Sequence, residues 1–305
     1  MNSLRTASVR KSGSWQSAAA TLVASLVMAA TSQAVTVQFN DFSSTAGLTL
    51  NGNAIGNVNN GIDAGRVLRL TSASGNQSGS AFSTTTVNAA TFSTAFRFRI
   101  TDPGGTIFDN NPTSGADGIV FVVQNVASNI GGAGQGIGYS GIPNSVGAEW
   151  DTWHNSYNND PDSNHLGIDV NGAVDHGAGS PFTQTIATRF DDGNLWYAWV
   201  DYNGTNLEVR TNQTGIRPAT ATLSRSVNIV SILGATSAYI GFTSGTGADW
   251  GNHDIVSWEY RDSFDPIDDD NHGNPIPEPL TGGLVFLSGS AIVGYLSSRR
   301  QRTTA

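Results

Sequence analysis

The chain contains no cysteine. This removes disulfides, zinc–thiolate centres and cysteine nucleophiles together, so any bound metal must be held by oxygen and imidazole. Lysine is nearly missing too. Its one occurrence, Lys11, stands in a basic N-terminal stretch with Arg5 and Arg10, while Arg299, Arg300 and Arg302 lie at the other end. Between residues 35 and 276 nine arginines face 23 acids, a balance of −14. Such a body repels phosphate backbones, which argues against nucleic-acid binding. Charged residues amount to only 13%, and the body's glutamates are three, Glu149, Glu208 and Glu259. No long stretch has an apolar period of 3.6 residues, which argues against alternating β/α units, and no internal repeat is visible. The 38% hydrophobic content is nevertheless ample for a core.

The two ends read as addresses rather than fold. Residues 1–34 combine a basic start, an apolar stretch from Ala18 to Ala30 and small residues at Ser32 and Ala34. That order predicts a secretory signal peptide cut after Ala34. At the other end Pro277-Glu278-Pro279 precedes an apolar run from Leu280 to Leu296 and then the arginine cluster. The run is just long enough for a membrane-spanning helix over 280–296, with the arginines on the cytoplasmic side. The tail, 277–305, resembles the PEP-CTERM sorting signal of Gram-negative bacteria that make exopolysaccharide. The resemblance implies an exosortase-type processing enzyme as a partner, membrane anchoring before sorting, and display at the cell surface.

Between the ends, residues 35–264 alternate apolar and polar positions, punctuated by turns. Phe96, Phe98 and Ile100 alternate with Arg97 and Arg99, which puts the apolar groups on one face of a strand. Further strands are predicted at 118–123, 145–152, 166–170, 195–202, 207–211, 238–243 and 254–260. Asn203-Gly204 between two of them signals a hairpin, since both residues tolerate positive φ. Regularly spaced strands with Gly and Asn turns predict an all-β sandwich or jelly roll. Residues 265–276, with Asp268-Asp269-Asp270, read as an acidic solvated linker.

The chemistry is concentrated in residues 148–165. Glu149 and Asp151 are two apart on a strand and project from one face. Asn155 and Asp160 follow in a loop too polar for a core, and His165 opens the next apolar-rich strand, Leu166-Gly167-Ile168-Asp169-Val170. A hairpin-like return brings His165 beside the two acids. Three carboxylates so gathered repel one another unless cations intervene. Glu149, Asp151, Asp160 and His165 make an oxygen-plus-imidazole set suited to Mn²⁺ or another divalent transition ion. Asp151, Asp160, the Asn155 side-chain oxygen and the Trp153 carbonyl make an all-oxygen set suited to Ca²⁺.

This stretch resembles the metal-binding loop of L-type (legume) lectins, whose pattern is Glu-x-Asp-x-aromatic-x-Asn, then Asp-Pro, then His-Ile/Leu-Gly-Ile-Asp-Val. Every ligand position of that pattern is filled here. The likeness continues in Phe42 to Gly52, Gly79-Ser80-Ala81-Phe82, Ala116-Asp117-Gly118, Asp201-Tyr202-Asn203, Gly247-Ala248-Asp249 and His253 to Trp258. It implies a concanavalin-like jelly roll and a carbohydrate site. In that site Asp117, after a cis Ala116–Asp117 peptide, accepts hydrogen bonds from sugar hydroxyls. Asn155 donates its amide hydrogens, and Trp153 lies along the C–H face of the pyranose. Backbone amides come from Gly134, within the Gly-rich run 131–138, and from Ala248 and Asp249 on the opposite rim. Gly247-Ala248-Asp249 leans towards mannose or glucose. One departure from the pattern is Asp175, which stands where the family's water-orienting hydroxyl is expected.

A hexose of about a dozen heavy atoms at roughly −0.3 kcal/mol each binds only in the millimolar range. Adhesion then requires several sites at once, from surface display or from homo-oligomers that engage polymeric glycans. Two other functions fit the body less well. A jelly-roll glycoside hydrolase needs a second acid near Glu149, but Trp153 and His154 stand where Glu-x-Asp-x-x-Glu would place it, and Glu208 and Glu259 belong to other strands. A non-catalytic biofilm scaffold with a degenerate sugar site is at odds with a complete ligand set. The sequence therefore points to a binding protein rather than an enzyme.

Overall fold

The computed structural model describes residues 36–107, 109, 115–129 and 136–268. The expected signal peptide at 1–34, the tail at 277–305 with its helix at 280–296, and Gly134 lie outside the described residues. Among those described, no helix is long and apolar enough to cross a membrane.

Sixteen strands are found among the described residues. In chain order they are β1 Thr36–Phe39, β2 Leu48–Gly52, β3 Ile55–Val58, β4 Val67–Thr71, β5 Ser78–Ser83 and β6 Val87–Asn88. β7 Phe92–Gly105, β8 Gly118–Gln124, β9 Ser145–Asp151, β10 His165–Val170 and β11 Thr183–Thr185 follow. β12 Trp196–Tyr202, β13 Asn206–Asn212, β14 Leu223–Ser226, β15 Ser237–Gly245 and β16 Asp249–Arg261 complete the set. One eight-stranded sheet runs β14-β13-β12-β7-β16-β4-β3, with β1 also on β16. The other runs β11-β10-β9-β8-β15-β5-β2, with β6 also on β15. The antiparallel sandwich predicted from turn spacing is therefore observed.

Period-two alternation explains what each strand buries. From β8, Ile119, Phe121 and Val123 enter the main core between the sheets, while Val120 and Val122 join a second cluster with Phe82, Ile137, Tyr139 and Ile142. A strand covered on both faces reads as continuously apolar, as Ile119 to Val123 does. Aromatic rings fill the main core: Phe96 meets Trp150 at 5.1 Å and Phe242 at 4.9 Å, both edge-on. Each such fully buried side chain contributes roughly 1.5–3 kcal/mol relative to exposure. The register of β9 and β10 is therefore set by the core, and their other faces are free for polar work.

Two turns and one boundary differ from the sequence reading. The hairpin at Asn203-Gly204 forms, but only Gly204 has positive φ, at 95°. Asn203 instead accepts through Oδ1 from the amides of Thr205 and Asn206, at 3.0 and 2.9 Å. The Asn-Gly pair with two positive φ angles is Asn171-Gly172, at 57° and 70°, and it reverses the chain directly after β10. A Cβ on Gly172 would lie 2.3 Å from the amide nitrogen of Ile142, so glycine is required there twice over. The first residues of the expected linker also pack on the body. Ile267 is buried against Ala95 and Trp199, and Asp265 takes an ion pair from Arg261.

Candidate functional site

The site starts from the alternation of β9 and β10. Val146, Ala148 and Trp150 enter the core, as do Leu166 and Ile168, so Glu149, Asp151, His165 and Asp169 share the opposite face. Register puts His165 across from Asp151, and Gly167 across from Glu149. Gly167 has to lack a side chain: a Cβ there would sit 2.2 Å from Oε1 of Glu149 and 2.8 Å from Cε1 of His176. The glycine is the floor on which the Glu149 carboxylate rests.

The loop after β9 closes over this face by using the two aspartates as clasps. The Trp153 amide donates to Oδ1 of Asp151 at 2.6 Å, and the Asn155 amide donates to Oδ2 of Asp160 at 2.6 Å. Each carboxylate keeps its other oxygen for the interior. Asp151, Asp160 and His165 each offer a ligand atom, mutually within 4.8 Å, and so do Glu149, His165 and His176. Nδ1 of His165 lies 3.1 Å from the Asp162 carbonyl, which leaves Nε2 directed at the acids, 3.5 Å from Oε1 of Glu149. The sequence-predicted residues Glu149, Asp151, Trp153, Asn155, Asp160 and His165 are thus brought together.

Burial dominates the electrostatics. It pushes the Asp151 carboxyl well above its ordinary range, helped by the charges of Asp160 and Glu149. It raises Asp160 to about 6. Burial acts in the same direction on Glu149, but the imidazoles of His165 and His176 outweigh it and hold that carboxyl below its ordinary range. Buried polar atoms are ordinarily hydrogen-bonded, yet Oε2 of Glu149, Nε2 of His165, Oδ1 of Asn155 and Oδ2 of Asp117 have no such partner. Oxygen and imidazole atoms left over in this way form a donor set that fits divalent cations.

Next to the cage lies the second group of predicted residues. The Ala116–Asp117 peptide is cis. The Asp117 amide donates to the Gly245 carbonyl at 2.9 Å, and its carbonyl accepts from Thr152 at 3.0 Å. Burial, with the nearby Asp249 charge, pushes its carboxyl up to about 7. The rim loop touches it: a Cβ on Gly247 would be 3.7 Å from Oδ2 of Asp117. Ala248 is exposed on that rim, whereas Asp249 is buried at the start of β16. The Asp249 carboxylate turns inward, accepting from Thr106 and Ile107 at 2.6 and 2.9 Å. Trp153 is half-buried beside the loop.

Sequence reasoning missed three parts of the site. Tyr157, 57% exposed, accepts from Nδ2 of Asn155 at 3.0 Å. Arg189 and Asp191 form a bracket: Asp191 accepts from Gly115 at 2.6 Å, and Arg189 donates to the Thr152 carbonyl at 3.1 Å and pairs with Asp191. His176 is the third, with Nε2 2.7 Å from Oε1 of Glu149. Asp175 does not face the site; it is exposed and accepts from Asn159 at 2.7 Å and from the Gly177 amide at 2.9 Å. Glu208 and Glu259 lie in the other sheet, paired with Arg210 and Arg261.

Comparison with known proteins adds a family. The family model described as "Legume lectin domain" matches residues 34–275. An L-type lectin-domain containing receptor kinase, VIII.1 of Arabidopsis thaliana, is 30% identical over 193 residues, 61% of this chain and 26% of that protein. The chain thus spans about a quarter of that relative's length. The basic agglutinin of Psophocarpus tetragonolobus is 29% identical over 59% of this chain and 72% of its own. Among solved structures, basic winged bean lectin with Tn-antigen superposes with a TM-score of 0.59 at 24% identity, covering 75% of this chain and 98% of that one.

Proposed function

The chain belongs to the legume lectin domain family, and from that premise we propose that it is a cation-dependent hexose receptor acting outside the cytoplasm. The domain of this family binds carbohydrate without catalysis. The observation that carries the finer reading is the set of buried, unpartnered oxygens of Asp117 and Asn155 beside a buried cage in which Oε2 of Glu149 and Nε2 of His165 also lack hydrogen-bond partners.

In this reading Glu149, Asp151, Asp160 and His165 hold the transition ion, typically Mn²⁺ in the family. Asp151, Asp160, Oδ1 of Asn155 and the Trp153 carbonyl hold Ca²⁺. When bound, the ions supply the positive charge that keeps these acids ionised at neutral pH. Asp117 accepts from two sugar hydroxyls, and must be ionised to do so with both oxygens. Asn155 donates one N–H to Tyr157 and keeps the second for a hydroxyl. Trp153 lies along the apolar C–H face of the ring, and the exposed Tyr157 extends that aromatic surface. Gly134, Ala248 and Asp249 complete the rim with backbone amides, for a hexose of the mannose or glucose type.

The leader at 1–34 and the PEP-CTERM-like tail favour export, temporary anchoring, release or retention by an exosortase-type enzyme, and surface display among exopolysaccharide. A glycan array run with and without EDTA tests the function. Binding is expected to vanish in chelator, return with Ca²⁺, and be lost in Asp117→Ala and Asn155→Ala proteins that still melt cooperatively. Binding unchanged in chelator would overturn the reading.

A further inference from the structure

The family pattern supplies one imidazole to the transition-ion position, but this fold brings two. We propose that His176 is a further protein ligand there, oriented by Asp169, making the position a two-imidazole centre that favours zinc, cobalt or nickel over manganese. The inference rests on the lectin reading above.

Placement comes first. The Asn171-Gly172 turn folds the chain back beside β10, with Val170 bridged to Ala173, and the His176 amide donates to the Asn158 carbonyl at 3.0 Å. The His176 side chain is thereby fixed from both sides and only 3% exposed. Its ring stands edge-on to that of His165, at 88° with centroids 5.5 Å apart, and both rings bring a nitrogen to Glu149.

Distances agree. Ligand atoms about 2.1 Å from one ion lie about 3.0 Å apart when adjacent and about 4.2 Å apart when opposed in an octahedron. Nε2 of His176 is 2.7 Å from Oε1 of Glu149 and 3.8 Å from Oδ1 of Asp160. Nε2 of His165 is 3.5 and 4.0 Å from the same two oxygens. Both imidazoles thus flank the same two carboxylate oxygens, and their ligand atoms lie with that of Glu149 within 4.8 Å of one another. Nε2 of His165, wholly buried, and Oε2 of Glu149 lack hydrogen-bond partners, so the position still has ligating capacity to use.

The far side of each ring is also arranged for it. His165 is oriented by a carbonyl, and Nδ1 of His176 lies 3.4 Å from Oδ1 of buried Asp169. A carboxylate behind the non-ligating nitrogen is the usual support of a metal-bound histidine. A depression of about 160 Å³, lined by residues including Asp169, Asp175, His176 and Arg225, opens beside this supporting pair. Two imidazoles move an oxygen-rich site towards the later first-row ions. The competing role for His176 is a plain ion pair with Glu149.

The experiment uses the purified full chain, labelled with ¹⁵N in its histidine rings, in Ca²⁺, titrated with Zn²⁺. Two ring nitrogens are expected to move to metal-bound shifts at one equivalent, with the second missing in His176→Gln and zinc affinity reduced at least tenfold. A single shifting ring in the wild type, or affinity unchanged or raised in His176→Gln, would establish the ion pair and overturn the proposal. No zinc uptake would overturn it as well. In each case the Ca²⁺-dependence of glycan binding by the wild type decides separately whether the lectin reading stands.

Discussion

Cation binding to this cage should be strongly pH-dependent, far more so than for ordinary carboxylates. Asp160 must be ionised to serve as a ligand, and burial raises its carboxyl to about 6. A proton then competes with the ion below that pH, and the apparent association constant is divided by one plus the ratio of protonated to ionised acid. At pH 8 that divisor is about 1, and at pH 5 about 11, a loss of about 1.4 kcal/mol from this one residue. A carboxyl at the ordinary aspartate value of 3.8 would cost under about a tenth of the affinity over the same range. Asp151, raised well above its ordinary range by burial and by its acidic neighbours, steepens the fall further, towards about two decades per pH unit where both are protonated. Calcium titrations by calorimetry at pH 5, 6, 7 and 8, in buffers of differing ionisation enthalpy, would measure both the affinity and the protons released. Affinity constant within about twofold from pH 8 to pH 5, with no proton release, would refute the electrostatic account of the cage.

Gly167→Ala should evict Glu149 from its place, since the new Cβ meets Oε1 at 2.2 Å. Transition-ion stoichiometry by elemental analysis should drop while the protein stays folded at a cost of about 1–3 kcal/mol; full metal content would count against the floor argument. His253 is fully buried and held down to about 3 from 6.5, so the unfolded chain takes up the proton first. Stability contributed by its neutral form is present above pH 6.5 and lost, by about 1.4 kcal/mol per unit, as pH falls from 6.5 towards 3. The slope of urea midpoint against pH should be shallower in His253→Asn, and equal slopes would reject this source. Asp191→Asn removes a buried acid from its pairing with Arg189 and should destabilise by on the order of 3 kcal/mol in denaturant. A change below about 0.5 kcal/mol would mean that the bracket is ornamental.

What could be read from the sequence is what depends on neighbours along the chain. Glu149 and Asp151 share a face by strand alternation, and His165 returns opposite Asp151 through a single hairpin, so the first half of the cage follows from period and spacing. His176 required recognising which Asn-Gly pair turns the backbone left-handed twice. Asn203 spends its side chain on the amides of Thr205 and Asn206 and stays out of that region, while Asn171 does not, and the letters alone do not separate them. Asp169 stands in an apolar-rich strand, and its place 3.4 Å from Nδ1 of His176 follows from the turn after that strand, not from alternation. The Arg189–Asp191 bracket joins segments some 40 to 75 residues apart, a separation that leaves no local pattern. Strand order within the sheets was likewise beyond alternation, because it is decided by which apolar faces pack, not by any one strand.

The clasps at Asp151 and Asp160 have a consequence for assembly. They use backbone amides, and the strands beneath take their register from aromatic rings on the opposite side, so the vessel can be built before anything is poured into it. A newly folded molecule would then carry a shaped hollow whose buried acids hold on to protons, and it would exchange them for ions from whatever medium surrounds it. The fraction of molecules able to grip a sugar would follow the salt composition of the place where folding finishes, and it could be reset later simply by changing that medium.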